Sequence, residues 1–323
     1  MKLKNLILPA ITAVMLSSCS MFHDELEPCR QKANIRLSYT KNVEGTDKFN
    51  EQVHCAKVLL YDGSGTYMGQ YDYDAAAGGI SVSLPAGNYH AVAYGGMGCD
   101  EADFLFADPL AEGHKYSSLL TYLNGTRAGE SSKDLHDHFH STGDFTVAGL
   151  DTGEVSTVLD LTKNTNRFRV ELMYEDGSAI TANDFICTIT ADNAVTDHAN
   201  NVVAQGEDVV YRAHTTGTGT AETGEGDVPM AWSTFTTGRL TADSNITLHV
   251  DRTAWPDKTL DLPLIEYLKE VYKHEMTTGT LQDYLDRQDT WKVSVTVQPD
   301  HGRVVVVTLK INDWKLVISG FDC

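Results

Sequence analysis

Ile80-Ser81-Val82-Ser83-Leu84-Pro85-Ala86-Gly87-Asn88-Tyr89-His90-Ala91-Val92-Ala93-Tyr94-Gly95-Gly96 decides the fold class. Ile80, Val82 and Leu84 alternate with serine, which puts three apolar side chains on one face of a strand. Pro85-Ala86-Gly87-Asn88 is turn chemistry, and Tyr89 to Tyr94 runs extended again until Gly95-Gly96 ends it. The same pattern recurs outward in both directions. Ile35, Leu37 and Tyr39 mark one strand, and Val58 to Tyr61 another, stopped by Asp62-Gly63-Ser64-Gly65. Strands resume at Thr157–Leu161, and Phe185 to Ile189 is a further apolar-rich run. Phe168, Val170, Leu172 and Tyr174 lead into Glu175-Asp176-Gly177-Ser178, read as a hairpin turn. Ile246, Leu248 and Val250 follow. Trp291, Val293, Val295 and Val297 precede Pro299-Asp300-His301-Gly302 and the run Val304 to Ile311. Many short alternating strands with turns between them predict an all-β protein of antiparallel β-sandwiches.

Helix is scarce. Leu264, Ile265, Leu268, Val271 and Tyr272 predict an amphipathic helix over 262–276. Thr280 is placed to cap a second short helix, with Asp283 at the third position and Leu281, Tyr284 and Leu285 on one face. Tyr116, Leu119, Leu120 and Leu123 suggest a third. His214 to Gly226, rich in Thr and Gly, reads as a long loop.

The chain has 323 residues, with 25 Lys plus Arg against 45 Asp plus Glu. Hydrophobic residues at 41% and charged residues at 22% match ordinary globular usage, which argues against a disordered chain. The formal charge of −20 argues against nucleic acid as a partner, since phosphate binding needs a basic footprint. No run reaches the ~18 apolar residues of a spanning helix.

Lys2 and Lys4 followed by the apolar run Leu6 to Leu16 match a secretory signal. Leu16-Ser17-Ser18-Cys19 has the form of a bacterial lipobox, which predicts cleavage before Cys19 and acylation (palmitate) of its thiol. Removal of residues 1–18 takes away two lysines and no acids, so 23 bases and 45 acids leave the mature chain at −22. Ser20 at the second position and the acids Asp24, Glu25 and Glu27 fit an outer-membrane lipoprotein exposed on the cell surface.

Cys29, Cys55, Cys99, Cys187 and Cys323 contain no C-x-x-C pair, so zinc or thioredoxin chemistry is not indicated. An exported chain permits one or two disulfides, expected among the first three. Cys187, within Phe185 to Ile189, reads as a small buried hydrophobe.

Enzyme signatures are missing: there is no nucleophile elbow, phosphate loop, dinucleotide fingerprint or complete H-E-x-x-H. His136, His138 and His140 share one face of an extended segment, a pattern open to Zn²⁺ or Cu²⁺. Successive imidazoles on a strand stand about 7 Å apart, however, too far for one tetrahedral ion to hold all three easily. An exposed polar strand is the plainer reading, and no metal or other cofactor is expected. Asp283, Asp286 and Asp289 are the best carboxylate set for glycoside hydrolysis. Asp283 and Arg287 also form an i,i+4 pair that would simply solvate a helix. The chain is expected not to be an enzyme.

Leu281-Gln282-Asp283-Tyr284-Leu285-Asp286-Arg287-Gln288-Asp289, with an aromatic-led strand at Trp291, resembles a hallmark of the fimbrillin-A associated anchor family. These are Bacteroidales lipoproteins of the major and minor fimbriae, which are type V pili. Cys19 with Asp24-Glu25-Leu26-Glu27-Pro28-Cys29 is similar to the family's mature start. Leu84 to Gly96 is similar to a strand–turn–strand of its first domain, and Ile311-Asn312-Asp313-Trp314 to its closing strand.

The resemblance implies two tandem transthyretin-like sandwiches with a few short helices. The expected organisation is a signal peptide (1–18), a lipidated tether (19–33), an N-terminal sandwich (34–158) and a C-terminal sandwich (159–323). It also implies an outer-membrane fimbrial anchor or accessory subunit, lipidated at Cys19, whose partners are stalk or accessory subunits joined by β-strand complementation. In such pili one subunit's strand completes its neighbour's sheet. An anchor that keeps its own N-terminal strand is expected to have that groove filled, and to offer a free edge or its C-terminal segment instead. The alternative is a glycan-binding surface lipoprotein, with some of the 4 Trp and 14 Tyr as stacking platforms.

Overall fold

The computed structural model describes residues 30–97, 103–124, 129–148, 153–203, 208–223, 226–299, 306–312 and 314–316. In the first half the strands are β1 (Arg30–Lys41), β2 (Ala56–Asp62), β3 (Tyr67–Asp72), β4 (Ile80–Pro85) and β5 (Gly87–Gly95). They continue with β6 (Phe104–Phe106), β7 (Leu120–Leu123), β8 (Glu130–Ser131), β9 (Phe139–Val147) and β10 (Val155–Lys163). The second half has β11 (Asn166–Tyr174), β12 (Phe185–Ala191), β13 (Val195–Asp197), β14 (Val209–Arg212), β15 (Thr215–Thr223) and β16 (Gly226–Thr237). Then come β17 (Ile246–Arg252), β18 (Trp255–Pro263), β19 (Thr290–Val297), β20 (Val306–Ile311) and β21 (Trp314–Leu316). Among the described residues three short α-helices join them: α1 (Phe49–Gln52), α2 (Leu264–Glu275) and α3 (Leu281–Arg287).

A seven-stranded sheet in the order β3-β2-β5-β9-β10-β1-β4 forms the first sandwich by folding over its own core. Ile35, Leu37 and Tyr39 of β1, Ile80, Val82 and Leu84 of β4, and Val58 and Leu60 of β2 meet in one apolar cluster. The Ile80–Gly96 stretch makes two strands as its alternation predicts, but not a hairpin. β4 pairs with β1 and β5 pairs with β2 and β9, so Pro85-Ala86 carries the chain across the sandwich. Gly96 closes β5 at φ +79, and a Cβ there would stand 2.0 Å from the Asp137 carbonyl oxygen. Only glycine fits that position.

The second sandwich packs a six-stranded sheet (β15-β16-β11-β19-β20-β21) on a five-stranded one (β18-β17-β12-β14-β8). Phe168, Val170, Trp291, Val293 and Val295 face Ile189, Tyr211, Leu248 and Val250 in a shared core. The Glu175–Ser178 turn is therefore not a hairpin turn: β11 lies in one sheet and β12 in the other. In both halves the first strand pairs parallel with a late one, β1 with β10 and β11 with β19; apart from the short parallel pair of β8 and β14, the other pairings among the described residues are antiparallel.

The halves interlock. β7 of the first pairs with β13 of the second, and β8 pairs with β14. Leu59, Tyr61, Val92 and Tyr94, on the outer face of β2 and β5, consequently join the second sandwich's core. This explains why Val58 to Tyr61 is apolar without interruption: both faces of β2 are covered. The expected division at 158/159 falls inside β10, which runs whole in the seven-stranded sheet; the chain leaves that sheet at Asn164-Thr165.

Two helices match expectation. α2 buries Leu264, Leu268 and Val271. α3 begins with a capping box, in which the Thr280 side chain accepts from Asp283 N and the Asp283 carboxylate accepts from Thr280 N. Two expectations are overturned. The segment from Tyr116 makes only a single 3-10 turn (Tyr116–Ser118) before β7, because Leu120 and Thr121 are taken up by pairing with β13. His214 to Gly226 is a hairpin arm, since β15 pairs with β16 from Thr215↔Thr234 to Thr223↔Gly226. Ile311 ends β20 and pairs with Trp314, the first residue of β21, with Asn312 at φ +52.

Candidate attachment and docking surfaces

The described chain starts at β1, and Cys19 lies outside the described residues. The eleven residues Cys19 to Cys29 could reach at most about 40 Å when fully extended. β1 itself is held on both sides. It pairs parallel with β10 from Ala33↔Val155 to Lys41↔Thr162, and antiparallel with β4 from Arg30↔Pro85 to Ile35↔Ile80. Its outer register is pinned by Asp160, whose carboxylate accepts from Ser38 Oγ at 3.0 Å, Thr40 N at 2.8 Å and Thr40 Oγ1 at 2.6 Å. Inward, Ala33, Ile35, Leu37 and Tyr39 are buried. The slot between β4 and β10 is filled by the chain's own first strand.

The sheet edges differ in how open they are. The entry to β3 is covered by the 114–116 segment, with Tyr67 N donating to His114 O at 2.9 Å and Tyr116 N to Gly65 O at 2.7 Å. β21 has three residues, and its Trp314 is tied back to α2: the indole stacks on His274 at 4.9 Å and donates to Glu275 Oε1 at 2.8 Å. At the opposite edge of the same sheet, β15 has nine residues and, among the described residues, pairs only with β16.

The three histidines do not converge. His136 is exposed and meets Asp103, Nδ1 to Oδ2 at 2.8 Å. His138 and His140 are buried rather than on an exposed strand: His140 lies on β9, central in its sheet, His138 stands just before it, and the Tyr94 ring packs against both. His138 stacks on Phe104 at 4.2 Å, and its Nε2, like that of His140, has no protein partner. Burial pushes His138 down to about 3 and holds His140 well below the ordinary imidazole value. Both are neutral side chains of the junction between halves. No group of three His, Cys, Asp or Glu among the described residues is arranged to hold a metal.

The three carboxylates are each engaged separately. Asp283 caps α3, Asp286 meets Arg239 Nη2 at 2.9 Å, and Asp289 meets Lys163 Nζ at 2.7 Å. Asp283 is thus used by the cap, and no ion pair with Arg287 forms. Lys163 also reaches Asp137 at 2.8 Å, while Arg167 holds Asp137 from the other side at 2.6 Å. Sequence reasoning missed this ionic knot, whose members are remote in the chain. Beside it a cavity of about 540 Å³ opens among Gln52, His54, Asp134, His136 and Arg167. Tyr284 is buried against Trp291 at 5.6 Å and donates to Glu275 Oε2 at 2.8 Å. The quoted segment around Tyr284 is a structural clamp on β19.

Cys55 is disulfide-bonded and Cys187 is a free buried thiol. Cys29, Cys99 and Cys323 lie outside the described residues. Of the aromatics proposed as sugar platforms, Trp291 is fully buried, and Trp232 is overlaid by the Arg169 guanidinium at 4.5 Å.

The described residues form two interlocked all-β sandwiches, the first completed by its own leading strand. The chain belongs to the fimbrillin-A associated anchor family: residues 26–320 match the model of the fimbrillin-A associated anchor proteins Mfa1 and Mfa2. It is similar to a candidate adhesin from Bacteroides thetaiotaomicron, with 28% identity and a TM-score of 0.76 over 90% of this chain and 99% of that one. A protein from the same organism described as a candidate polysaccharide-binding protein aligns at 20% identity and TM-score 0.74, over 90% and 98% of the two chains. The fimbrial anchor protein Mfa2 from Porphyromonas gingivalis shares the fold at 15% identity and TM-score 0.67, over 89% and 99%. No curated protein sequence matches the chain. Membership gives the chain a fimbrial accessory role and, with it, other fimbrial subunits as partners at the cell surface. Among the described residues no helix is long and apolar enough to cross a membrane.

Proposed function

We propose that the chain is a fimbrial anchor subunit, held in the outer membrane by lipid on Cys19, that attaches or initiates the pilus. The observation that carries this reading is β1, which sits between β4 and β10 with its inward side chains buried. In a polymer joined by donated strands, a subunit whose slot is already filled accepts no strand there and stands at an end. Its partner then binds by strand addition at a free sheet edge. Separate engagement of Asp283, Asp286 and Asp289 supports a non-enzymatic role.

The membrane part is tested by Cys19→Ala in the native host. The variant is expected to move from the outer-membrane fraction to the soluble fraction with its fold intact. Its persistence in the membrane after a carbonate wash would refute lipid anchoring at Cys19.

A further inference from the structure

β15 is a nine-residue edge strand, and its Thr215, Thr216, Thr218, Gly219, Thr220 and Glu222 all face solvent; the other nine-residue edge, β18, carries Pro256 and Lys258. Natural edges are blunted by lysine, proline, bulges or brevity. Thr215-Thr-Gly-Thr-Gly-Thr-Ala-Glu-Thr223 has no lysine and no proline, and its register against β16 is unbroken over all nine pairs. Two residues separate Thr223 from its partner Gly226, which makes them a hydrogen-bonded pair. By alternation, the N–H and C=O of Thr216, Thr218, Thr220 and Glu222 point away from β16, toward the open side.

The glycines add a second feature. A Cβ on Gly217 would stand 2.5 Å from Trp232 Cζ2, so the indole of β16 lies across the edge strand where a side chain would otherwise be. Met230 Cε approaches Gly219 in the same way, at 3.5 Å. An apolar strip from the second strand therefore extends over the edge strand on one face. An incoming strand would meet open ladder groups together with the side of that strip.

We infer that β15 is the docking edge for an extended segment of the adjoining fimbrial subunit. That segment adds as a strand of about nine residues, with apolar side chains two apart resting beside Trp232 and Met230. The occupant is a strand because ladder groups, not charges, are what the edge presents. It comes from another fimbrial subunit because family membership supplies such partners, and because β1 already closes the alternative slot. This inference rests on the anchor reading and names the surface that reading requires.

Thr218→Pro tests it in the native host. The substitution removes an outward N–H and leaves the bonds to β16, so the edge is blocked while the hairpin stands. The strain lacking the whole chain is run beside it. Fimbriae shed into the medium in both strains, with the variant folded and present on cells at normal level, is the expected result. Shedding in the deletion strain but normal attachment in Thr218→Pro overturns the edge and spares the anchor reading. Attachment in both overturns both. Should the proline variant be depleted from the surface, Thr218→Cys carrying a benzophenone crosslinker gives the answer on intact cells. A photoadduct identified by mass spectrometry as a fimbrial subunit supports the edge, and the absence of any such adduct overturns it.

Discussion

Lys163→Met should destabilise the junction between the sandwiches by about 2–3 kcal/mol at pH 7. Lys163 is 7% exposed and its ammonium lies 2.8 Å from Asp137 and 2.7 Å from Asp289. Methionine keeps the stem that packs beside Phe139 and removes the charge. Breaking a fully buried pair costs about 3–5 kcal/mol, because the abandoned charges stay desolvated. Here the carboxylate side chains retain 28% and 30% exposure, and Arg167 still holds Asp137 at 2.6 Å. Water and Arg167 absorb part of the loss, hence the lower range. Urea unfolding followed by tryptophan fluorescence reads the difference. The pH dependence gives an internal check. Burial raises the Asp137 carboxyl, but Lys163 and Arg167 outweigh it and hold it below the usual carboxylate range. Its stabilisation is therefore complete above the ordinary carboxylate pKa and is lost as pH falls through the folded-state value. The cost of Lys163→Met should shrink in that window. A loss below about 0.5 kcal/mol at pH 7, far under the 3–5 expected of a broken buried pair, would refute the knot as a structural element.

Three further outcomes follow from the same geometry. His138 and His140 are held neutral by burial, with His138 near 3, so stability should fall as pH drops below the ordinary imidazole value. The slope is about 1.4 kcal/mol per pH unit for each histidine, and His138→Phe should remove one such share between pH 6 and 4; an unchanged slope in urea titrations would contradict this. Thr280→Ala removes the hydroxyl partner of the α3 cap and should cost about 1 kcal/mol, read as a lowered urea midpoint. Cys187, its thiol pushed up to about 12 by burial, should resist dithionitrobenzoate at pH 8 in the folded chain and react only on unfolding.

Strand existence was legible wherever alternation was regular, as at Ile80–Leu84 and Trp291–Val297, because one-sided burial imposes period two. Pairing was not. Whether Pro85-Ala86 closes a hairpin or crosses a sandwich depends on β1, some fifty residues earlier, entering beside β4. The burial of His138 and His140 was hidden for the same reason: Tyr94 and Phe104, which pack on these rings, stand far earlier in the sequence. β15 was misread because glycine suggests a loop, although Thr216, Thr218 and Thr220 already alternate at strand period. The α3 cap was fully local, and Thr280 with Asp283 showed it plainly.

The central claim is that this chain holds fimbriae to the cell. Electron microscopy of host cells carrying Cys19→Ala in place of the native chain tests it, with fimbriae counted on cells and in the medium. The account predicts bare cells and intact fimbriae in the supernatant, with the variant chain bound at one end of each fibre. Normal numbers of fimbriae still attached to cells, with the variant soluble and fibre-free, would contradict it.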